Sequence, residues 1–268
     1  MAERAPSWVS DPHIPSVARM YDYYLGGKDN FAADREVGDR VLAAMPYVRA
    51  FTRANRVFLA RAVTLAAEDG VRQFLDIGSG LPTQENTHEV AQRNDPDARV
   101  VYVDRDPIVI THARALLEGN GQTSVVQGDL LDIRRILDDP GVLERIDFTR
   151  PVAVLLLAIL HFVARDEDVL EILSVLRSRM VSGSYLVLSH GHAGDVGEEL
   201  EAEVRSAYEK TSAGDIIPRP YAQVLTYFDG LELVDPGLVP VEFWRAGDSH
   251  EDHDLSRAGF LGAVAKVP

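Results

Sequence analysis

Five short apolar runs separated by stretches of helical periodicity constrain this chain more than any other feature. They are "RQFLDIGSG" (72–80), "ARVVYVDRD" (98–106), "TSVVQGDLLD" (123–132), "PVAVLLLAIL" (151–160) and "SYLVLSHG" (184–191). Each is apolar almost throughout instead of alternating, which is the pattern of a strand buried on both faces. Helix-like stretches over 85–94, 107–118 and 166–180 separate most of them. Strands alternating with helices imply a parallel sheet with helices on both faces. Two later apolar stretches, 231–246 and 259–268, read as closing strands with an acidic loop between them, for a seven-stranded α/β sheet.

A helical preface precedes the sheet. Residues 1–15 hold three prolines and read as a surface arm. Val17, Met20 and Tyr24 then fall at helical spacing, and Gly26 and Gly27 stop that helix. A second helix is predicted over 34–45, broken near Pro46, and a third over 47–68, ending at Gly70. Residues 195–213 are acidic and helical in pattern, and Pro218 and Pro220 break the chain beyond them. One domain with an N-terminal helical cap accounts for the whole pattern.

Charge and composition narrow the partners. Asp and Glu number 42 against 27 Lys and Arg, a net charge of −15, which works against DNA, RNA and anionic membranes. The longest apolar run, Val152 to Leu160, has the length of a buried strand, far short of the roughly 20 residues a membrane span needs. The first residues contain no apolar core of a secretory signal, so the cytoplasm is the expected location. The chain has no cysteine, which removes disulfide and thiolate chemistry.

The glycine turn "FLDIGSGLPT" closes the first sheet strand, where open α/β sheets bind ligands. Gly78 and Gly80 permit a tight turn, but the third glycine of a dinucleotide fingerprint is replaced by Thr83, after Pro82. Asp76 adds a carboxylate that repels a pyrophosphate and attracts a cationic amine or sulfonium. Asp104 ends the second strand in "VVYVD", where an acid can accept both ribose hydroxyls; capping the helix that begins at Pro107 is its alternative role. Asp129 in "QGDLLD" can accept a hydrogen bond from an adenine amine, with the Leu130 amide on a ring nitrogen, or can simply form a turn.

Together Asp76, Gly78, Gly80, Asp104 and Asp129 resemble the cofactor motifs of class I S-adenosylmethionine-dependent methyltransferases. The likeness spans about residues 70–268 and implies a Rossmann-like seven-stranded sheet with an antiparallel last strand. Three stretches, "MYDYYLGGKDNFAADRE", "RANRVFLARAV" and "FLDIGSGLPTQENTHEVAQ", are similar to a narrower actinobacterial methyltransferase family long catalogued as a domain of unknown function. The resemblance implies S-adenosyl-L-methionine as cofactor, with Ser79, Arg105, Gly128, Leu130 and Ala158 added to its contacts. It divides the chain into an N-terminal arm and helical lid, 1–69, and a methyltransferase domain, 70–268.

The lid expectation gives a use for "YYLGGKDNFAAD" (23–34), which is not a P-loop because a helix precedes its glycines and Asp29 follows Lys28. Gly26 and Gly27 allow unusual backbone angles. Lys28, Asn30, Arg53 and Arg56 can then meet the cofactor's carboxylate or an acidic substrate, while Tyr21 and Phe31 line an apolar wall. The alternative is a glycine-rich break whose polar groups cap neighbouring helices.

Methyl transfer needs orientation and a dry site more than a triad or a metal. His161, at the end of the fourth strand in "LAILHF", is the candidate base, or else a structural histidine. His190 or His192 in "SHGH" can border the substrate pocket, and Gln84, Glu85 and Asn86 can shape the crevice or cap a helix. "HEDHD" (250–254) has metal-site composition but reads better as a solvated acidic turn. No "NPPY"-type tetrapeptide follows the fourth strand, which lowers the case for a nucleic-acid acceptor. The expected function is methyl transfer to an oxygen or nitrogen of a small molecule, the alternative a cofactor-binding regulator or scaffold.

Overall fold

The structure is a computed structural model that describes residues 11–82, 85–117, 119–247 and 255–268. Three helices open it: α1 (Val17–Leu25), α2 (Ala32–Ala44) and α3 (Val48–Glu68). The sheet units follow as β1 (Gln73–Ile77), α4 (Thr87–Asn94), β2 (Arg99–Asp104), α5 (Pro107–Leu117) and β3 (Thr123–Gln127). Then come α6 (Ile133–Leu137), α7 (Pro140–Leu143), β4 (Ala153–Leu157), α8 (Asp166–Arg177), β5 (Tyr185–His192) and α9 (Glu198–Tyr208). The chain closes with α10 (Tyr221–Thr226), β6 (Glu232–Leu233), β7 (Val239–Pro240) and β8 (Gly259–Lys266).

The strand order is β3-β2-β1-β4-β5-β8-β6, with β7 also paired to β8. β1 to β5 are parallel and β8 runs antiparallel to β5. The order reverses between β1 and β4, the place where ligands enter such sheets. The expected strand over 231–246 is a correction: Pro236 and Gly237, the latter at φ 85°, interrupt it. Two two-residue pieces, β6 and β7, share the free edge of β8, so eight strands occupy seven positions. The apolar residues beyond them enter the core through turns, ending in the fully buried Trp244, which packs edge-on against Phe58.

Alternation along the strands feeds two cores although both faces are apolar. Leu75, Ile77, Val101 and Val103 join the side covered by α6 and α8. Phe74, Val100 and Tyr102 meet α3 and α4 on the other, where Phe58, Leu59, Ala62, Val63 and Ala66 form the buried stripe of α3. A third core stands over the strand ends: Met20, Tyr24, Val37, Val41, Met45 and Val48 pack with Ala207 and Tyr208 of α9. The buried pair Arg19–Asp34, at 2.7 Å, ties α1 to α2, and Asp34 also accepts the amides of Ser16 and Phe31.

Candidate active site

The turn after β1 needs its glycines. Gly78 and Gly80 have φ of 73° and 66°, a region that favours glycine. A Cβ on Gly78 would stand 2.6 Å from Ile159 Cγ1. The amides of Gly78 and Ser79 donate to the Val103 carbonyl, which anchors the turn on β2. Gly80 donates its amide to Asp104 Oδ2 at 2.9 Å, and Asp106 donates to Oδ1 at 2.9 Å. The Asp104 carboxylate is thus held in place by two amides, and burial raises its pKa.

Asp76 is buried in the crevice wall and accepts the Thr87 hydroxyl at 2.6 Å. Burial pushes its carboxyl up to about 6, against the opposing pull of Thr87 and the charge of Arg56. A carboxyl whose folded pKa exceeds its unfolded one favours folding below the unfolded value and loses that contribution as pH rises through the folded value. The ionised Asp76 therefore costs up to about 3 kcal/mol above neutrality in the ligand-free protein. Asp76→Asn should be the more stable protein at pH 8 in urea denaturation, with the difference shrinking to nothing by about pH 4. A gap independent of pH would remove desolvation of Asp76 as its cause.

One cavity collects Asp76, Gly78, Ser79, Gly80, Asp104, Ala158 and His161 from the sheet, with Tyr21 and Arg56 from the cap. Ala158 sits at φ 53°, its amide donating to Ser189 O and Oγ at 3.1 and 2.9 Å. Arg105, Gly128 and Asp129 line a second, adjoining cavity, while the buried Leu130 lines neither. Ser16, Asp106 and Ser212 belong to both walls. Ser16 Oγ donates to Asp106 at 2.7 Å, Arg105 donates to Ser212 O at 2.6 Å, and the Ser212 amide donates to Pro15 O at 2.8 Å. This bridge spans the crevice between the two cavities. Asp129 itself accepts the Leu131 amide at 3.0 Å.

Several expected contacts require correction. Lys28 is exposed and lines neither cavity, because its turn closes on Asp22 instead. The Gly27 amide donates to Asp22 O, and Asn30 Nδ2 and the Asp29 amide donate to Asp22 Oδ2 at 2.8 and 3.0 Å. A Cβ on Gly27 would fall 1.9 Å from Asp22 Oδ1, so the glycine serves that approach. Gly27 and Asn30 therefore shape the turn and line neither cavity. Phe31 is 41% exposed, with Arg19 over its ring. Arg53 is exposed because Thr52, Asn55, Arg56 and Leu59 occupy the crevice-facing stripe of α3.

The reading from sequence missed Asp22 and Asn55. Asp22 is a buried wall carboxylate whose pKa is raised by burial against the Asn30 hydrogen bond. Asn55 Nδ2 donates to the Tyr21 hydroxyl at 3.1 Å, which donates to Thr52 O at 3.2 Å. The buried Oδ1 of Asn55 has no hydrogen-bond partner among the described residues. The i, i+4 face shared with Leu59 was the available signal for Asn55; for Asp22 there was none, because the closing turn makes its site.

His161 is buried in the wall, with Nδ1 accepting the Gly191 amide at 3.1 Å. Burial, then His190 and Arg219, hold its pKa well below the usual value. A neutral ring whose Nδ1 accepts carries its proton on Nε2. The expectation of a base is thereby corrected: His161 presents a donor. Behind it, Arg219 donates to His190 Nε2 at 3.1 Å and to Val163 O at 2.9 Å, and pairs with Asp166 at 3.2 Å. Burial takes His190 down to about 4. His192 lines the cavity; His190 does not. Glu85 pairs with Arg93 on the surface, and Asn86 forms a capping box with Glu89. Thr83, Gln84 and the 250–254 segment lie outside the described residues. No metal-binding cluster occurs among the described residues.

Comparison with known proteins fits this arrangement. A family model described as S-adenosyl methyltransferase matches residues 4–268. A DUF574 family protein of Streptomyces avermitilis is 42% identical with a TM-score of 0.87, covering 96% of this chain and 99% of that one. A methyltransferase-like protein of Thermobifida fusca is 36% identical at a TM-score of 0.87, covering 100% of this chain and 99% of its own. The N-methyltransferase NodS of Bradyrhizobium japonicum, crystallised with S-adenosyl-L-homocysteine, is 14% identical at a TM-score of 0.50 over 81% of this chain and 88% of that one, a likeness of fold alone. An ornithine lipid N-methyltransferase of Singulisphaera acidiphila is 32% identical over 80 residues, which cover 30% of this chain and 40% of that protein. The chain belongs to the S-adenosyl methyltransferase family, and its cofactor is S-adenosyl-L-methionine.

Proposed function

We propose that the protein transfers the methyl group of S-adenosyl-L-methionine to an oxygen or nitrogen of a small molecule. One observation carries this reading. The cavity lined by Gly78, Gly80 and Asp104 is also lined by residues of α1, α2, α3 and α9, which supports a place for an acceptor beside the cofactor. The cofactor, when bound, supplies an electrophilic methyl carbon on a sulfonium. The S–CH3 bond breaks as the bond to the acceptor forms, and the acceptor proton leaves to solvent.

In this reading the sheet edge binds and the cap orients. Gly78, Ser79 and Gly80 let backbone approach the ligand closely, and Asp104 accepts the ribose hydroxyls. Arg105, Gly128 and Asp129 take the adenine side, beyond the Ser16–Asp106 bridge, with Leu130 packed behind them. Tyr21, Arg56 and Asn55 take the amino-acid end, with Arg56 meeting the carboxylate and the free Oδ1 of Asn55 accepting from the ammonium. Asp76 offsets the positive charge. Ala158 borders the reacting centre, and His161 holds an acceptor oxygen through Nε2–H. Within the N-terminal arm and helical lid, 1–69, α1, α2 and the Asp22 turn do the covering, while α3 packs on the sheet.

Calorimetry with S-adenosyl-L-methionine and S-adenosyl-L-homocysteine tests the binding half. Transfer of a labelled methyl group to a pooled panel of hydroxyl and amine compounds tests the chemistry. Binding with transfer supports the reading. A folded protein that binds neither compound sinks it, and tight binding with no transfer to any acceptor favours a regulatory protein instead.

A further inference from the structure

We propose that the methyl acceptor is an uncharged molecule with an apolar body and a hydroxyl group, seated between α2, α3 and α9. This rests on the methyltransferase reading above and names its acceptor class.

The cap contributes an apolar wall to the cavity. Val41 and Met45 of α2 and its end, Phe51 of α3, Phe162 after β4, and Leu200 and Val204 of α9 all line it. Such a surface gains by taking apolar area out of water. Within it stands the buried Tyr24, whose hydroxyl interacts with the Tyr208 hydroxyl. Two paired phenol hydroxyls leave one O–H donor and acceptor lone pairs over, which an occupant's hydroxyl can meet. A hydroxyl both donates and accepts, so it can meet either this pair or the Nε2–H of His161.

The charges around the cavity select against ions. Its walls carry Asp22, Asp76, Asp104, Asp106 and Glu201 against Arg56 and Arg205, and Arg205 is already paired with Asp215. An anionic acceptor meets this acidic surround. A cationic one must lie beside the sulfonium, where like charge repels it in a site of low dielectric. Tyr24 and Tyr208 stay protonated because burial raises both. A neutral nucleophile avoids every one of these costs. Transfer to it breaks S–CH3, forms O–CH3, and releases the hydroxyl proton with the neutral thioether.

The test uses one apolar body with three heads: 2-naphthol, 2-naphthoate and 2-naphthylmethylammonium, titrated calorimetrically at neutral pH into protein saturated with sinefungin, a cofactor analogue that carries an ammonium group where the sulfonium stands. The naphthol should bind at least about tenfold more tightly than either ion. Leu200→Trp, which fills the chamber from a half-buried position on α9, should weaken naphthol by about tenfold or more and leave the S-adenosyl-L-homocysteine affinity within about twofold. Tyr24→Phe should weaken naphthol by about fivefold. Tighter binding of either ion, absence of binding by all three, or naphthol binding indifferent to Leu200→Trp overturns the proposal while the cofactor still binds. Failure of the wild type to bind S-adenosyl-L-homocysteine overturns the methyltransferase reading, and the acceptor assignment with it.

Discussion

Asp104→Ala is expected to weaken S-adenosyl-L-homocysteine binding by about a thousandfold, corresponding to about 4 kcal/mol. The carboxylate has two tasks. It accepts the amides of Gly80 and Asp106 and so holds the glycine turn against the start of α5. Its remaining lone pairs are the proposed acceptors for the ribose. Hydrogen bonds to a charged group are worth about 1.5–3 kcal/mol each, so losing two of them accounts for the whole effect. Asp104→Asn keeps one oxygen acceptor and should fall between the two proteins. The alanine variant should remain folded, because Asp104 ends its strand and the sheet register of β2 does not depend on its side chain. Calorimetric affinity within about fivefold of wild type would remove Asp104 from the site.

The second large effect falls on the cap. Asp34→Ala should cost about 3–5 kcal/mol in urea denaturation, because it strands a buried charge. Arg19 and Asp34 are 1% and 0% exposed, so water cannot replace the lost partner. The same substitution removes the acceptor for the amides of Ser16 and Phe31, at the starts of α1 and α2. Arg19 retains the Ile14 carbonyl and the Phe31 ring among its contacts. Removing both charges, as Arg19→Met with Asp34→Leu, should recover much of the loss, since an apolar pair of similar size carries no stranded charge. A change below about 0.5 kcal/mol for Asp34→Ala would show that the pair holds nothing together. Because Pro15 and Ser16 lie on the bridge over the crevice, weaker cofactor binding should accompany the instability.

Legibility differed sharply between the sheet and the cap. Five parallel strands were readable because each is a continuous apolar run, and their carboxyl ends could be placed from Gly78, Asp104 and Asp129 without knowing any contact. The seventh position was not readable as it stands: residues 231–246 are apolar for a reason that periodicity does not separate, namely turns that carry Val241 and Trp244 into the core. In the cap the helices were readable but their rotation was not. Arg53 and Arg56 have the same chemistry, and only the crevice-facing stripe of α3 distinguishes them. Lys28 reads from the sequence as a cation after two glycines, whereas the turn closes on Asp22 through backbone and amide bonds that no sequence spacing displays. The chemistry of His161 was equally hidden, since its tautomer is set by the Gly191 amide and not by its neighbours in the chain.

Methyl transfer in this crevice requires the cofactor's sulfur to open toward the chamber under the cap. A crystal structure of the protein with S-adenosyl-L-homocysteine tests that most directly. The predicted result places the ribose on Asp104, the adenine beyond the Ser16–Asp106 bridge, and the thioether sulfur between Ala158 and the apolar wall of α9. A ribose away from Asp104, or a sulfur walled off from that chamber, would contradict it.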